Sequence, residues 1–240
     1  MSAFFALVLV PIAAALLPAY ASAPAVPSLS LEQILESMER HDRMQTEELK
    51  HYQAVRHYQV EYRGLGTSVA AKMEVEVNFD ATSGKSFHVV SQSGSKLLCE
   101  KVLKKAVDSE EEASNNKEAT ALTAANYKFQ LLGTESLNGR PAYVLGVAPL
   151  KASKFLYRGK VWVDAEDFAV AAIDAAPAKN PSFWISRTSI RYTSAKTGDF
   201  WLPQQSRSET KVLIGGTAVL TIDFGSYHIV SVAPHRGAGD

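Results

Sequence analysis

The sequence predicts an α+β fold in which one large curved antiparallel sheet carries helices on one face. Segments with helical spacing occur only in the first half of the chain, whereas from Tyr127 onward the chain consists of short strand-like runs and turn signals. The pairs Asn138-Gly139 and Gly215-Gly216 are turns typical of hairpins. Together with the earlier strands, these signals indicate about nine to eleven antiparallel strands joined mostly by hairpins.

The first residues have the pattern of a secretory signal peptide. An apolar run extends from Ala3 to Leu17, and Ala19-Tyr20-Ala21 fits the A-x-A cleavage pattern. A retained membrane anchor is the alternative, but the run is shorter than the ~20 apolar residues that a spanning helix needs. We therefore expect an exported protein that is periplasmic and soluble after cleavage. The predicted divisions are a signal peptide over 1–21, an extended leader over 22–28, a single domain over 29–232 and a flexible tail over 233–240.

An amphipathic helix is predicted directly after the leader. Ser30 and Gln33 form a capping box, and Leu29 with Ile34 forms a hydrophobic staple around it. The apolar stripe that follows has helical spacing and consists of Leu31, Ile34, Leu35 and Met38. Such a helix has to bury one face against another element, and the sheet is the expected partner.

The next segments switch between strand and helix patterns. Apolar and polar residues alternate from Val69 to Phe79, which predicts a half-buried strand. Lys96 to Val107 returns to helical spacing, and Glu118 to Ala125 is compatible with another short helix. We interpret the acidic segment from Asp108 to Asn116 as an exposed loop, with binding of a basic partner as a minor alternative.

Composition and motifs exclude several classes of function. The 25 basic and 25 acidic residues balance, which argues against nucleic-acid binding. Cys99 is the single cysteine, so an internal disulfide and a multi-cysteine metal site are excluded. The six histidines show no metal-binding spacing, and no glycine-rich nucleotide loop occurs. We therefore expect no cofactor, no metal and no nucleotide.

One enzymatic alternative remains, a serine acyltransferase or penicillin-recognising enzyme. Ser93-Gly94-Ser95-Lys96, Ser114-Asn115-Asn116 and Lys196-Thr197-Gly198 match the three short motifs of that class in the right order. Only about twenty residues separate the first two motifs, which is too short for the helical subdomain found between them in such enzymes. The third motif falls at a predicted hairpin turn. The expectation is therefore a protein without catalytic residues.

The strand-rich half resembles a known superfamily. The segments Asn126–Phe129, Asn138–Leu145 and Tyr157–Asp164, followed by Phe168-Ala169-Val170, resemble the periplasmic lipoprotein-carrier superfamily. This is the fold of LolA, LolB and the RseB sensor domain, and includes chains described as outer-membrane lipoprotein-sorting proteins. The resemblance extends from about Leu29 to Val230 and implies a half-barrel sheet that holds acyl chains under helices.

This resemblance implies a non-enzymatic carrier or chaperone that binds lipid or lipoprotein acyl chains. The alternative is an envelope sensor or interaction module of the same fold with an envelope protein as its partner. An acyl-chain site needs apolar surface and no compact motif. Plain core is the favoured alternative for each residue expected to line it; these residues are Val75, Val77, Phe79, Trp162, Phe168, Ile190, Tyr192 and Phe224.

Overall fold

The computed structural model describes residues 27–64, 66–179, 185–213 and 215–232. The predicted signal peptide, most of the leader and the tail over 233–240 lie outside these residues. Among the helices of the described ranges, none is both long and apolar enough to cross a membrane.

The helices belong to two separate parts of the chain. The first is α1 (Leu31–Glu48), which begins at the predicted capping box: Gln33 N donates to Ser30 Oγ, and Ser30 N donates to Gln33 Oε1. The second part follows the third strand. It comprises α2 (Lys96–Leu98), a π-helical turn (Cys99–Leu103), α3 (Lys104–Asn115) and α4 (Lys117–Thr120).

Eleven strands within the described ranges form one antiparallel sheet. The first three precede the second helical part: β1 (Leu49–Gly64), β2 (Thr67–Asp80) and β3 (Gly84–Gly94). The others follow it: β4 (Tyr127–Leu137), β5 (Arg140–Pro149), β6 (Tyr157–Asp164), β7 (Val170–Pro177), β8 (Ile185–Thr197), β9 (Phe200–Val212), β10 (Thr217–Asp223) and β11 (Tyr227–Val232).

The strand order makes the sheet an open half-barrel. The order is β3-β2-β1-β10-β9-β8-β7-β6-β5-β4, and β11 also pairs with β1. Strands β3 and β4 are therefore the two ends of this order, β11 is paired on one side only, and β1 joins the early strands to the late ones. The predicted α+β class, a curved antiparallel sheet with helices on one face, is confirmed.

Two hydrophobic clusters attach the helices to opposite ends of the inner face, which we define as the face that carries the helices. The α1 cluster joins Ile34 and Met38 to strands β4–β7, including Tyr143 and Val161. The α3 cluster joins the π-helical turn and α3 to β1 and β2; its members are Tyr58, Val60, Ala71, Met73, Val75, Val77, Cys99, Leu103 and Val107. The alternation predicted for β2 is confirmed, since its odd-numbered residues from Ala71 to Val77 are buried.

The prediction that Asp108–Asn116 is a loop was wrong. Helix α3 continues through this acidic segment to Asn115. Glutamate and alanine favour helix, and Val107 anchors the segment because it is buried in the α3 cluster. The charge of the segment has a structural use, since Glu110 faces the sheet and pairs with Arg56.

Two turns depend on left-handed backbone. Asn138 and Gly139 have φ angles of 51° and 82°, the conformation that a two-residue hairpin between β4 and β5 needs. Gly225, with φ of 61°, separates β10 from β11, and a Cβ atom there would collide with the carbonyl of Val55. This glycine lets the chain bend past β1 next to Arg56.

Candidate ligand-binding site

A strip of the inner face lies between the two helical covers. Strands β8, β9 and β10 present it, and its apolar members are only half-buried; we call Ile190, Tyr192, Leu220 and Ile222 the central strip. The strand register places Ser206 and Ser208 of β9 between these residues. Within the described residues, the central strip is thus an apolar surface with a polar middle row.

A fully buried arginine lies next to the central strip. Arg56 occupies an inward position of β1 and has no exposed surface. Its Nη1 pairs with Glu110 Oε1 of α3, and Tyr58 donates a 2.7 Å hydrogen bond to the other oxygen of Glu110. Nε and Nη2 of Arg56 have no hydrogen-bond partner. A buried donor without a partner is destabilising, so these two nitrogens need an explanation.

Aromatic rings surround the guanidinium group of Arg56. Its Cζ lies 4.8 Å from the ring centroid of Phe224 and 5.4 Å from that of Phe87. Tyr192 contacts Phe224 edge-on, with ring centroids 6.3 Å apart. The faces of these rings attract the positive charge of the guanidinium group. The N–H groups of the guanidinium lie in its own plane, where the rings provide no hydrogen-bond acceptor.

A second cation lies at the same end of the sheet. Lys85 pairs in register with Phe79 and lines a cavity of about 320 Å³ between the β2–β3 turn and α3–α4, together with Glu110 and Lys117. Burial lowers the pKa of Lys85 to about 8, and the positive charges of Arg56 and Lys117 add to this effect. Among the described residues, Lys85 has no ion-pair partner.

Tyrosine hydroxyls are also buried in this region. Burial raises the pKa of Tyr227 and of Tyr192, although the charge of Arg56 opposes the rise in both. The hydroxyl of Tyr227 has no hydrogen-bond partner. Arg56 Nε and Nη2, Lys85 and the Tyr227 hydroxyl are therefore all donors without an acceptor in the described structure.

Five of the residues expected to line an acyl-chain site lie on the inner face near these groups. Val75 and Val77 are completely buried under the π-helical turn and α3. Phe79 is half-buried and stacks on Tyr52 with ring centroids 5.0 Å apart. Ile190 and Tyr192 belong to the central strip.

Of the other three expected residues, Phe224 also lies beside Arg56, whereas Phe168 and Trp162 lie elsewhere on the sheet. Phe224 is buried beside Arg56. Phe168 follows the β6 turn with a φ of 58° and packs on Tyr143 in the α1 cluster. Trp162 has the opposite parity to Val161 and Val163, so it lies on the outer face, where its indole Nε1 donates a 2.8 Å hydrogen bond to Glu135.

The three motifs of the enzymatic alternative are not joined by any hydrogen bond or ion pair among the described residues. Ser114 donates to the carbonyl of Glu111, and Lys196 pairs with Asp167 at 3.0 Å. Ser93 is exposed on β3 and offers only its carbonyl, to Cys99. Within the same ranges, no group of three or more His, Cys, Asp or Glu is placed to hold a metal ion.

The sequence analysis missed Arg56, Lys85 and Glu110. A signal for Arg56 exists, because it is the single charged residue in the inward series Tyr52, Ala54, Arg56, Tyr58, Val60. A charged residue on the apolar parity of a long strand indicates a buried charge with a partner or a ligand. Lys85 carries no comparable signal, since it stands in a turn-forming cluster where lysine is ordinary.

Comparison with known proteins gives similar folds and no close relative. No family model matches the chain, and no curated protein was found to be similar. Similar solved structures include a LolA superfamily protein from Nitrosomonas europaea, with 12% identity over 85% of this chain and 95% of that one and a TM-score of 0.38. A structure described as a LolA superfamily protein is therefore among those to which this chain is similar.

Two further solved structures are similar to this chain. An outer membrane lipoprotein-sorting protein domain from Vibrio parahaemolyticus has 10% identity over 88% of this chain and 96% of that one, with a TM-score of 0.45. A DUF1329 family protein from Desulfovibrio piger has 13% identity over 88% and 95%, with a TM-score of 0.43. These similarities concern the fold and do not extend to ligands or activity.

Proposed function

We propose that this protein is exported to the periplasm and binds lipid or lipoprotein acyl chains on the inner face of its sheet, as a non-enzymatic carrier or chaperone. One observation carries the proposal. The central strip offers half-buried apolar side chains between the two helical covers, and two of them, Leu220 and Ile222, pack against the α3 cluster.

The energetics of such a site need no directional chemistry. Each CH₂ group removed from water contributes about 0.8 kcal/mol, so one or two acyl chains bind firmly to an apolar strip. The covers rest on separate clusters, α1 on β4–β7 and α3 on β1–β2. A chain that enters between them buries apolar surface without displacing the buried residues of either cluster.

The first experiment is native mass spectrometry of the mature protein, purified from the export compartment without detergent. The expected result is adducts that extract into organic solvent and are identified as acyl lipids. A mass that begins at Ser22 would at the same time establish cleavage after Ala21. Protein that carries no adduct and takes up no added fatty acid would contradict the proposal.

A pair of variants locates the binding surface. Ile190→Glu places a carboxylate on the central strip, and Ser189→Glu places the same carboxylate on the neighbouring residue, which is exposed on the other face. We expect Ile190→Glu to weaken binding of a fluorescent fatty acid at least about tenfold, because a charge in an apolar site is poorly solvated. Ser189→Glu should bind like the unmodified protein. Equal binding by both variants, each with an unchanged melting temperature, would show that the chain binds elsewhere.

An envelope interaction module is the second candidate. Strand β3 favours it, because this edge strand has a neighbour on one side only and exposes Val89 and Val90. An extended peptide can add to such an edge by main-chain hydrogen bonds. Protein that is free of lipid but cross-links to an envelope protein through residues substituted into β3 would support this candidate over the carrier.

A further inference from the structure

Four buried or cavity-lining donors on the inner face have no acceptor of their own. Arg56 is fully buried, and its Nε and Nη2 make no hydrogen bond. The Tyr227 hydroxyl is likewise buried without a partner. Lys85 lines the adjoining cavity and has no ion pair within the described residues. Buried polar groups are satisfied in the great majority of cases, so a cluster of unsatisfied donors indicates an absent acceptor.

The charges of this region do not balance. Arg56 and Lys85 supply two positive charges, and Glu110 is the acidic group that contacts Arg56. Lys117 lines the same cavity and adds a third positive charge at its exposed rim. Burial and the neighbouring cations hold the pKa of Lys85 near 8, which is the expected response of an ammonium group that lacks a counter-ion.

The surroundings define the shape of the absent group. Phe87 and Phe224 contact the guanidinium of Arg56, and Tyr192 of the central strip touches Phe224. The polar end of a ligand at Arg56 would therefore lie next to the apolar strip. The cavity of about 320 Å³ that is lined by Lys85 and by Glu110, the partner of Arg56, has room for a small headgroup.

We infer that the inner face binds an anionic amphiphile whose acidic headgroup, a carboxylate or a phosphate, lies against Arg56 and Lys85 while its acyl chain lies on the central strip. This inference rests on the proposed function and specifies the class of lipid. The headgroup oxygens accept from Arg56 Nε and Nη2 in the guanidinium plane, the geometry in which arginine binds oxyanions.

The test compares an acid with its neutral counterpart. The probes are the fluorescent fatty acid parinaric acid and its methyl ester, which have the same chain and differ in charge. The variant is Lys85→Met. Because Lys85 has no ion-pair partner among the described residues, its removal leaves no acidic group unpaired. The matched control is Lys72→Met, an exposed lysine on the neighbouring strand β2.

The expected result distinguishes the contribution of the headgroup charge to binding from that of the acyl chain. Lys85→Met should bind the acid about tenfold more weakly and the methyl ester within about twofold of the unmodified protein, whereas Lys72→Met should change neither. The double variant Arg56→Met with Glu110→Met removes both members of the buried ion pair together. It should lose the preference for acid over ester altogether.

Three outcomes would overturn the inference, and they are distinguishable. If acid and ester bind equally and Lys85→Met changes neither, the protein binds acyl chains without an anion site, and the proposed function stands alone. If neither probe binds, both fail. If inorganic phosphate binds and the fatty acid does not compete with it, the donors serve a free anion, and the amphiphile is excluded.

Discussion

The side-chain amide of Gln45 makes two hydrogen bonds with the backbone of Trp201, as a residue of a neighbouring strand would. Gln45 Nε2 donates to Trp201 O at 3.1 Å, and Trp201 N donates to Gln45 Oε1 at 2.9 Å. These two residues are 156 positions apart, and the contact fastens the last turns of α1 to the start of β9. The helix is thereby held at its end as well as along its apolar face.

Replacing Gln45 should loosen this end of α1. We expect Gln45→Ala to lower the free energy of unfolding by about 1–2 kcal/mol, because two partly buried hydrogen bonds are lost. Chemical denaturation measures the change. The control is Glu47→Ala, an exposed residue in the same turn, which should stay within about 0.5 kcal/mol. Equal effects from both variants would mean that the Gln45 amide contributes nothing beyond helix propensity.

Removing one member of the ion pair between Arg56 and Glu110 should strongly destabilise the fold. Glu110→Gln leaves a fully buried guanidinium without its counter-charge, so we expect a loss of about 3 kcal/mol in urea unfolding. Glu111→Gln, at the exposed neighbouring position, should change stability by less than about 0.5 kcal/mol. If the anion site exists, a saturating fatty acid should recover part of the loss in Glu110→Gln, since the bound carboxylate replaces the missing charge.

Lys85 should make the free energy of unfolding rise as the pH increases from about 8 to 10.5. Its pKa falls from 10.5 to about 8 on folding, so the charged form destabilises the folded protein below pH 8. Arg56, Glu110 and Lys117 are the charged groups that face it. Lys85→Met should therefore be more stable than the unmodified protein by about 1 kcal/mol at neutral pH. The advantage should disappear as pH rises from 8 to 10.5.

Unfolding free energies of both proteins across that pH window test this prediction. The tyrosines common to both proteins cancel in the difference. Lys72→Met, at an exposed position of β2, is the control for the substitution itself. A constant gap between Lys85→Met and the unmodified protein would contradict the assigned direction of the pKa shift.

Asp164, in the turn between β6 and β7, should make the folded protein less stable in acid. Asp164 is almost fully buried and accepts from Arg140 Nε and Nη2 at 2.5 and 2.9 Å, and also from the backbone N–H groups of Glu166 and Asp167. Burial opposes ionisation, but these hydrogen bonds outweigh it, and the pKa of Asp164 is held below its ordinary value of 3.8. The carboxylate therefore stabilises the fold above that value.

We expect Asp164→Asn to lower the free energy of unfolding by about 2 kcal/mol at neutral pH. The difference from the unmodified protein should shrink as pH falls below 3.8, where the unfolded chain takes up the proton and the contribution is lost. Asp174→Asn removes an exposed partner of Arg191 and should cost at most about 0.5 kcal/mol. A difference that grows on acidification would contradict the assignment.

Local chemistry made much of the fold predictable. The Ser30 and Gln33 capping box, the Asn138-Gly139 turn and the alternation along β2 each depend on neighbours in the sequence, and each is present in the structure. The segment Asp108–Asn116 was mistaken for a loop because its charge was taken as a sign of exposure. One of these charges, Glu110, is instead paired with Arg56, a residue on β1 that is 54 positions earlier in the chain.

The candidate site could be predicted only in part, for the same reason. Period-two alternation assigns a residue to a face, and Ile190 and Tyr192 do share one face of β8, but alternation does not say what covers that face. The alternation along β6 puts Trp162 and Val161 on opposite faces, but both residues are apolar, so the pattern could not show which of them faces the helices. The Arg56 donors became visible only when β1, β10 and α3 were brought together.

The two attachments of α1 have a consequence for the order in which the chain folds. Ile34 packs with Val161, and Gln45 binds Trp201, so the partners of this helix are made more than a hundred residues after it. A chain synthesised from its N-terminus forms the β1–β2 and β2–β3 hairpins as soon as those strands exist, because their contacts are local. Helix α1 stands first in the sequence but docks late. Until β4–β7 are complete, its apolar stripe is available to a chaperone or to aggregation, and the slowest step of folding is expected to be the closure of this long loop.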